Sequence, residues 1–191
     1  MKSKVGIIGK GHVGGALKSG LEKAGYEVQA LGRGGAREAA SWGDILILAA
    51  PFSEINNVLG EIEGLVAGKV LIDTSNALTK DYQLALGFTT SGAEEMQKKV
   101  RSAKVVKCFN TVFASCMSTG KTKGQQVSVF VAGDDEKARE TTLQLARDIG
   151  FDAVDSGPLR NARWLETLGY LNIQLGFTQK MGTEIGFKLV H

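Results

Sequence analysis

The chain has 191 residues, long enough for one α/β domain with a sizeable core and short for two. Hydrophobic residues make up 43% and charged residues 23%, the balance of an ordinary soluble globular protein. A net charge of +3 with no long Lys/Arg run excludes a nucleic-acid stripe and suits a small anionic ligand. The two cysteines, Cys108 and Cys116, form no disulfide framework and no metal-ligand spacing, and read as reduced, buried thiols. The apolar run at the N-terminus breaks at Lys10, too early for a signal-peptide core, and no stretch approaches a membrane span of about 20 residues. No membrane partner and a cytoplasmic location are expected.

In chain order, Val5–Ile8, Glu27–Leu31, Ile45–Ala49, Val70–Asp73, Val105–Phe109 and Val127–Ala132 read as strands. Most are continuous apolar runs, the pattern of parallel strands covered on both faces. Between the first two, Val13, Ala16, Leu17, Gly20, Leu21 and Ala24 share one helical face, and Gly25 stands where that helix should stop. A second helix is expected over Asp134–Ile149, opened by an Asp cap and closed by Gly150. After Gly157 the strand pattern is lost, and Leu159–Phe177 reads as helix. The fold class is therefore α/β: a doubly wound, mostly parallel sheet of the Rossmann type with a C-terminal helical cap. Residues 1–191 are expected to form a single domain, with 158–191 as the cap.

Gly9-Lys10-Gly11-His12-Val13-Gly14 fits the G-x-G-x-x-G pattern after a strand, opening a helix, with a second strand within about 30 residues. In that setting Gly9 allows a tight turn, Gly11 allows a pyrophosphate close to the backbone, and Gly14 allows close helix–strand packing. The helix start then offers free N–H groups to the phosphates. The second strand ends Ala30-Leu31-Gly32-Arg33 where an NAD site would place Asp or Glu, and Glu38 comes five residues past Arg33. A guanidinium hydrogen bond to phosphate is worth roughly 1.5–3 kcal/mol, so Arg33, with Arg37 one helical turn on, points to NADP. His12 contributes as a backbone donor, and His191 reads as a terminal residue without a catalytic role.

No catalytic residue is assigned. An alcohol dehydrogenase needs a positioned acid or base, yet Tyr26, Tyr82 and Tyr170 each lack a Lys four residues later, and neither His sits as a base. Hydride exchange between nicotinamide and a flavin-like ring needs chiefly close stacking, which suits a small domain poor in acid–base groups.

Val106-Lys107-Cys108-Phe109-Asn110-Thr111-Val112-Phe113-Ala114, Gly157-Pro158-Leu159-Arg160-Asn161-Ala162-Arg163 and Gly182-Thr183-Glu184-Ile185-Gly186-Phe187-Lys188-Leu189 resemble the family of NADPH-dependent coenzyme F420 reductases. The resemblance extends to the NADPH-binding domain of the six-transmembrane metalloreductases. It implies hydride transfer between NADP(H) and a deazaflavin, coenzyme F420, at a shallow cleft over the nicotinamide. A flavin as second substrate, in a flavin or ferric reductase, and a non-catalytic NADP(H)-sensing module are the alternative readings. The resemblance places Lys10, Gly11, His12 and Val13 at the pyrophosphate and Gly32, Arg33 and Arg37 around the 2′-phosphate. Ala50, Pro51 and Phe52 would line the ribose and nicotinamide side, Ser75, Asn76, Asn110 and Thr111 would flank the nicotinamide, and Ile185 would close over the site. Two departures stand out: Gly32 replaces a Ser or Thr of the family, and Phe109-Asn110 stands where the family tends to carry a His. Asn76 and Asn110 also suit strand-ending turns, and Phe52 and Phe109 also suit the core. Trp164, Leu168, Leu171 and Leu175 follow helical spacing and read as packing, at a dimer interface; with the apolar stretch Gly176–Val190 they suggest a homodimer.

Overall fold

The computed structural model describes residues 2–86 and 88–190, so His191 lies outside the described residues. The chain runs β1 (Lys4–Ile8), α1 (His12–Lys23), β2 (Glu27–Leu31), α2 (Ala36–Trp42), β3 (Ile45–Leu48), α3 (Phe52–Ile62), β4 (Val70–Asp73), α4 (Gly92–Lys99) and β5 (Lys104–Lys107). A short hairpin of β6 (Lys121–Thr122) and β7 (Gln125–Gln126) precedes β8 (Ser128–Gly133), α5 (Glu136–Ile149), β9 (Asp152–Asp155) and α6 (Ala162–Ile173). Seven strands form one sheet in the order β2-β1-β3-β4-β5-β8-β9. The first five are parallel, β8 runs antiparallel to β5, and β9 is parallel to β8. This is the Rossmann-type sheet that the strand–helix alternation implies.

Side chains alternate across the sheet and feed two apolar layers. Val5, Ile7, Ile47, Ile72 and Val106 pack with Leu17 and Leu21 of α1 and Leu143 and Ile149 of α5. Ile8, Leu46, Leu48, Leu71 and Val105 pack with Ala39 of α2, Ile55 and Leu59 of α3 and Met96 of α4. All four residues of β3 are buried, which is why that strand reads as an unbroken apolar run.

The differences from the sequence reading have local causes. Strand β9 escapes the apolar pattern because Asp152-Ala153-Val154-Asp155 forms the sheet edge and stays partly exposed. β5 stops at Lys107 because Phe109 adopts φ 64°, which a regular strand does not tolerate. In α5 the cap is Asp135, whose side chain accepts from the Ala138 N–H, while Asp134 accepts from the Leu159 N–H at 2.9 Å and holds the start of the C-terminal cap. That cap is a 3₁₀ turn over Leu159–Asn161, then α6, then a π-helical turn over Gln174–Thr178.

A buried charge cluster joins the sheet to this cap. Lys107 is fully buried, and its Nζ donates to Asp73 Oδ2 at 2.8 Å, Glu166 Oε1 at 2.9 Å and the Ser75 carbonyl at 2.5 Å. Glu166 also accepts from the Gly92 and Ala93 N–H groups at 3.1 and 3.4 Å, at the start of α4. Three elements, β4, β5 and α6, therefore meet at one ammonium, and α4 joins them through Glu166. Burial pushes the lysine pKa down, but Asp73 and Glu166 outweigh it and the net direction is up.

Lys107→Met is expected to leave two carboxylates facing each other and to cost about 3–5 kcal/mol in urea unfolding. In the parent chain the raised lysine pKa gives stabilisation that is complete below the unfolded value of about 10.4 and is lost only as pH rises through the folded value. The difference between parent and variant should therefore narrow as pH rises through the folded lysine value, where the parent loses its buried cation. A pH-independent difference between the two proteins would show that the cluster is not charged as described.

Candidate functional site

The loop from β1 into α1 is shaped by contacts that only glycine permits. Gly9 has φ 121°, and a Cβ there would lie 2.1 Å from the Ala49 carbonyl oxygen. A Cβ on Gly14 would lie 1.9 Å from the Gly9 carbonyl oxygen. Gly11 differs: a Cβ there would meet nothing within 4 Å and would project into open space above the loop. Gly11 is also the N-cap of α1 and supplies no side-chain cap, so the first N–H groups of the helix have no side-chain partner. An uncapped helix start with cleared space in front of it is an anion cradle.

Three adjoining cavities of about 550, 620 and 610 Å³ extend from this cradle across the carboxyl ends of the strands. The first and second share Gly11, Ala49, Ala50 and Pro51, and the second and third share His12, Val13, Thr74, Asn76 and Ile173. They form one continuous groove. It lies where the chain leaves β1 for β2 on one side and later returns to place β3 on the other, the topological switch point at which such sheets bind ligands.

The groove gathers most of the residues singled out from sequence. Lys10, Gly32 and Arg33 line its first cavity, and Ala50, Pro51, Phe52, Ser75 and Asn76 line the second. Asn110 lines the third, with Phe109. Gly14 lies behind the loop, buried. Three expected residues are placed otherwise. Arg37 lines none of the three cavities, because its Nη1 donates to the Glu61 carbonyl at 2.9 Å, at the end of α3. Thr111 is buried beside Asn110 and lines none of them either. Ile185 sits on a terminal strap tied to β8, where the Ser128 N–H donates to the Phe187 carbonyl and the Leu189 N–H donates to Ser128 Oγ. That tether carries Ile185 past the groove, and Thr183 reaches the third cavity instead, its carbonyl accepting from Ser115 Oγ at 2.6 Å.

The third cavity is walled by Phe109, Val112, Phe113, Met117, Ile173 and Phe177. Phe109 is both core and wall, since its ring packs on Phe151 at 5.8 Å between centroids. Phe113 and Phe177 meet edge to face at 5.6 Å. Amides form the polar corner. Asn76 Nδ2 donates to the Asn110 carbonyl at 3.0 Å, and Asn110 Nδ2 donates to Asn76 Oδ1 at 2.9 Å and to the Leu165 carbonyl at 2.8 Å. Asn110 Oδ1 and Thr111 Oγ1 are buried without a hydrogen-bond partner, so acceptor capacity is left over at this corner. Gly169 of α6 lies directly over the pair: a Cβ there would be 2.5 Å from Asn76 Oδ1 and 2.7 Å from the Asn110 carbonyl oxygen.

Gly169, the aromatic wall of Phe113 and Phe177, and Asn172, which lines the third cavity and donates to the Thr111 carbonyl at 3.1 Å, are not among the residues expected from the sequence. A glycine in the middle of an apolar helix was the available signal for Gly169. Neither thiol offers a nucleophile: burial pushes Cys108 strongly up and Cys116 up to about 11. Among the described residues no group of three His, Cys, Asp or Glu side chains is placed to hold a metal ion, and no helix is long and apolar enough to cross a membrane.

Known proteins share this fold and parts of this sequence. The family described as NADP oxidoreductase coenzyme F420-dependent matches residues 33–77, from the arginine after β2 to the residues after β4. Metalloreductase STEAP3 of Rattus norvegicus is 30% identical over 179 residues, covering 86% of this chain and 36% of its own length, so the chain spans little more than a third of that relative. The F420-dependent NADP reductase of Methanocaldococcus jannaschii is 28% identical over 168 residues, covering 84% of this chain and 74% of its own. A solved structure described as an F420-dependent NADP-reductase, from Arthrobacter sp. FB24, superposes with a TM-score of 0.91 at 25% identity, with all of both chains covered. The resemblance seen in the sequence motifs is thus borne out: in sequence and in fold the chain is similar to the NADP oxidoreductases that depend on coenzyme F420, with the metalloreductases as further relatives.

Proposed function

We propose that the chain is an oxidoreductase that binds NADP(H) along the groove and exchanges a hydride with a deazaflavin, coenzyme F420, seated in the third cavity. The observation that carries this reading is the continuity of the groove, which joins a glycine cradle at one end to an aromatic-walled chamber at the other. The residues fit such a cofactor. Gly11 leaves clear space before an uncapped helix start, which suits a pyrophosphate, and Arg33 stands at the end of β2 for the 2′-phosphate. Ala36, Pro51 and Val58 offer the adenine an apolar seat. Asn76 and Asn110, a hydrogen-bonded amide pair that lines the third cavity, suit the carboxamide of a nicotinamide. The bound nicotinamide would supply the hydride chemistry. The protein's part is to hold the ring against the aromatic wall, fix its face through the amide pair, and exclude water with Ile173 and Phe177.

An aromatic chamber without an acid–base pair suits a planar acceptor that takes a hydride with little help. A flavin is the second possibility, since it too presents a planar ring to the same aromatic wall. Stopped-flow mixing of the protein with NADPH and oxidised F420, with FMN in parallel, separates the two. Rapid bleaching of F420 and not FMN is expected. Bleaching of FMN alone would transfer the protein to the flavin reductases, and tight NADPH binding without turnover of either would favour a sensing module.

Arg33→Ala is expected to weaken NADPH binding by about tenfold to a hundredfold, the loss of one charge-assisted contact, and to leave NADH binding nearly unchanged. Equal losses for both cofactors in a fluorescence titration would remove Arg33 from the 2′-phosphate site.

The reading includes pairing of two copies over the outer face of α6. Trp164 and Leu171 are exposed there, and Phe88 stacks on Trp164 with centroids 6.5 Å apart, so a contiguous apolar patch faces solvent in the single chain. Light scattering should give twice the chain mass, and Trp164→Glu should halve it; a parent protein that is monomeric at micromolar concentration would sink the pairing.

A further inference from the structure

Lys10 occupies the x of the first G-x-G, next to the helix start, and its side chain runs away from that start. A Cβ built on Gly32 would lie 3.0 Å from Lys10 Cε and 3.4 Å from its Cδ and Cγ, so the whole stem lies across the glycine that follows β2. The ammonium is thereby carried to the end of β2, one residue from Arg33, in the cavity that both residues line. Lys10 is exposed and makes no hydrogen bond or ion pair with other described residues. Arg37, the other cation expected here, is engaged by the Glu61 carbonyl. The opposite wall, on α3, presents Glu54 and Glu61. Positive charge in this cavity is therefore confined to the Lys10–Arg33 edge, while the N–H groups of α1 that suit a pyrophosphate lie at the other end of the loop.

Resting on the NADP(H) reading above, we propose that Lys10 reads the 2′-phosphate together with Arg33, rather than the pyrophosphate, and that Gly32 is glycine because the lysine stem fills the space a side chain would need. The two positions then form one device. Glycine removes a possible hydroxyl donor at the strand end, and the lysine that its absence admits supplies a full charge in the same place. A compact ammonium on a flexible stem serves a dianionic phosphate at a partly exposed site, where the fixed fork of the neighbouring arginine supplies the geometry. A side chain at Gly32 would crowd the far part of a flexible stem, so it should displace the ammonium without unfolding the loop.

The test is isothermal titration of the full chain with NADPH, NADH, 2′,5′-ADP and 5′-AMP, for the parent protein, Lys10→Gln, Gly32→Ser and the double variant. Lys10→Gln should weaken NADPH and 2′,5′-ADP by about tenfold and change NADH and 5′-AMP by no more than about twofold. Gly32→Ser should weaken NADPH when Lys10 is present and have little effect in the Lys10→Gln background, a non-additivity that marks two residues acting as one. The salt dependence of NADPH binding should also become shallower in Lys10→Gln. Equal losses for NADPH and NADH would assign Lys10 to the pyrophosphate and overturn the proposal, as would additive effects of the two substitutions. A parent protein that prefers NADH, or binds neither cofactor, would overturn the NADP(H) reading itself, a result visible before any variant is made.

Discussion

The buried ammonium of Lys107 is the constraint on which the site depends. Its two carboxylate partners come from either side of it in the chain, Asp73 from the end of β4 and Glu166 from α6. One cation against two anions leaves a formal excess of negative charge in the interior, and the start of α4 offsets it by turning the Gly92 and Ala93 N–H groups onto Glu166. Such a cluster is a poor source of net stability, because desolvation consumes most of the attraction. Its effect is geometric. The Ser75 N–H and hydroxyl both donate to Asp73 Oδ1, so the residue before Asn76 is fixed from below. Glu166 fixes α6 one turn before Gly169, which lies over the same asparagine. The amide corner of the groove is thus set by charges that never touch it.

The two ends of the groove use different physics. At the loop end the uncapped start of α1 offers backbone N–H donors held by glycine contacts, with Lys10 and Arg33 charged beside apolar Ala36, Pro51 and Val58. At the chamber end the walls are aromatic and aliphatic, and the amides of Asn76 and Asn110 form a polar corner beside His12, Thr74, Ser115 and Thr183. Such an arrangement suits chemistry that depends on the spacing of two rings, since proximity and alignment can supply several kcal/mol of barrier lowering by themselves.

What could be read from the sequence was the part governed by neighbours along the chain. The glycine loop, the apolar strands and the capped helix over Glu136–Ile149 each announce themselves within a short window. The pairing of Lys107 with Asp73 and Glu166 spans 34 and 59 residues, and nothing in a strand ending Val-Val-Lys says that its lysine turns inward. The same limit explains Arg37 and Ile185. Arg37 has the right spacing from Arg33, but a carbonyl at the end of α3 competes for its guanidinium. Ile185 follows the family motif, but hydrogen bonds from β8 draw the strap it sits on to one side. Sequence spacing fixed the neighbourhood of these residues and tertiary competition decided their direction.

Phe109 shows how the two levels meet. It is nearly fully buried, yet it holds φ 64°, a conformation that an aromatic residue adopts at a cost of about 1–3 kcal/mol unless its surroundings impose it. Its surroundings do: the ring is held against Phe151 in the core, and the next residue is fixed by Asn76 and the Leu165 carbonyl. The left-handed turn ends the β5 ladder two residues early and swings Asn110 out of the strand direction, into line with Asn76. The strained residue thus converts the end of a buried strand into the polar corner of the chamber, and the core packing around Phe151 supplies the energy that keeps it there.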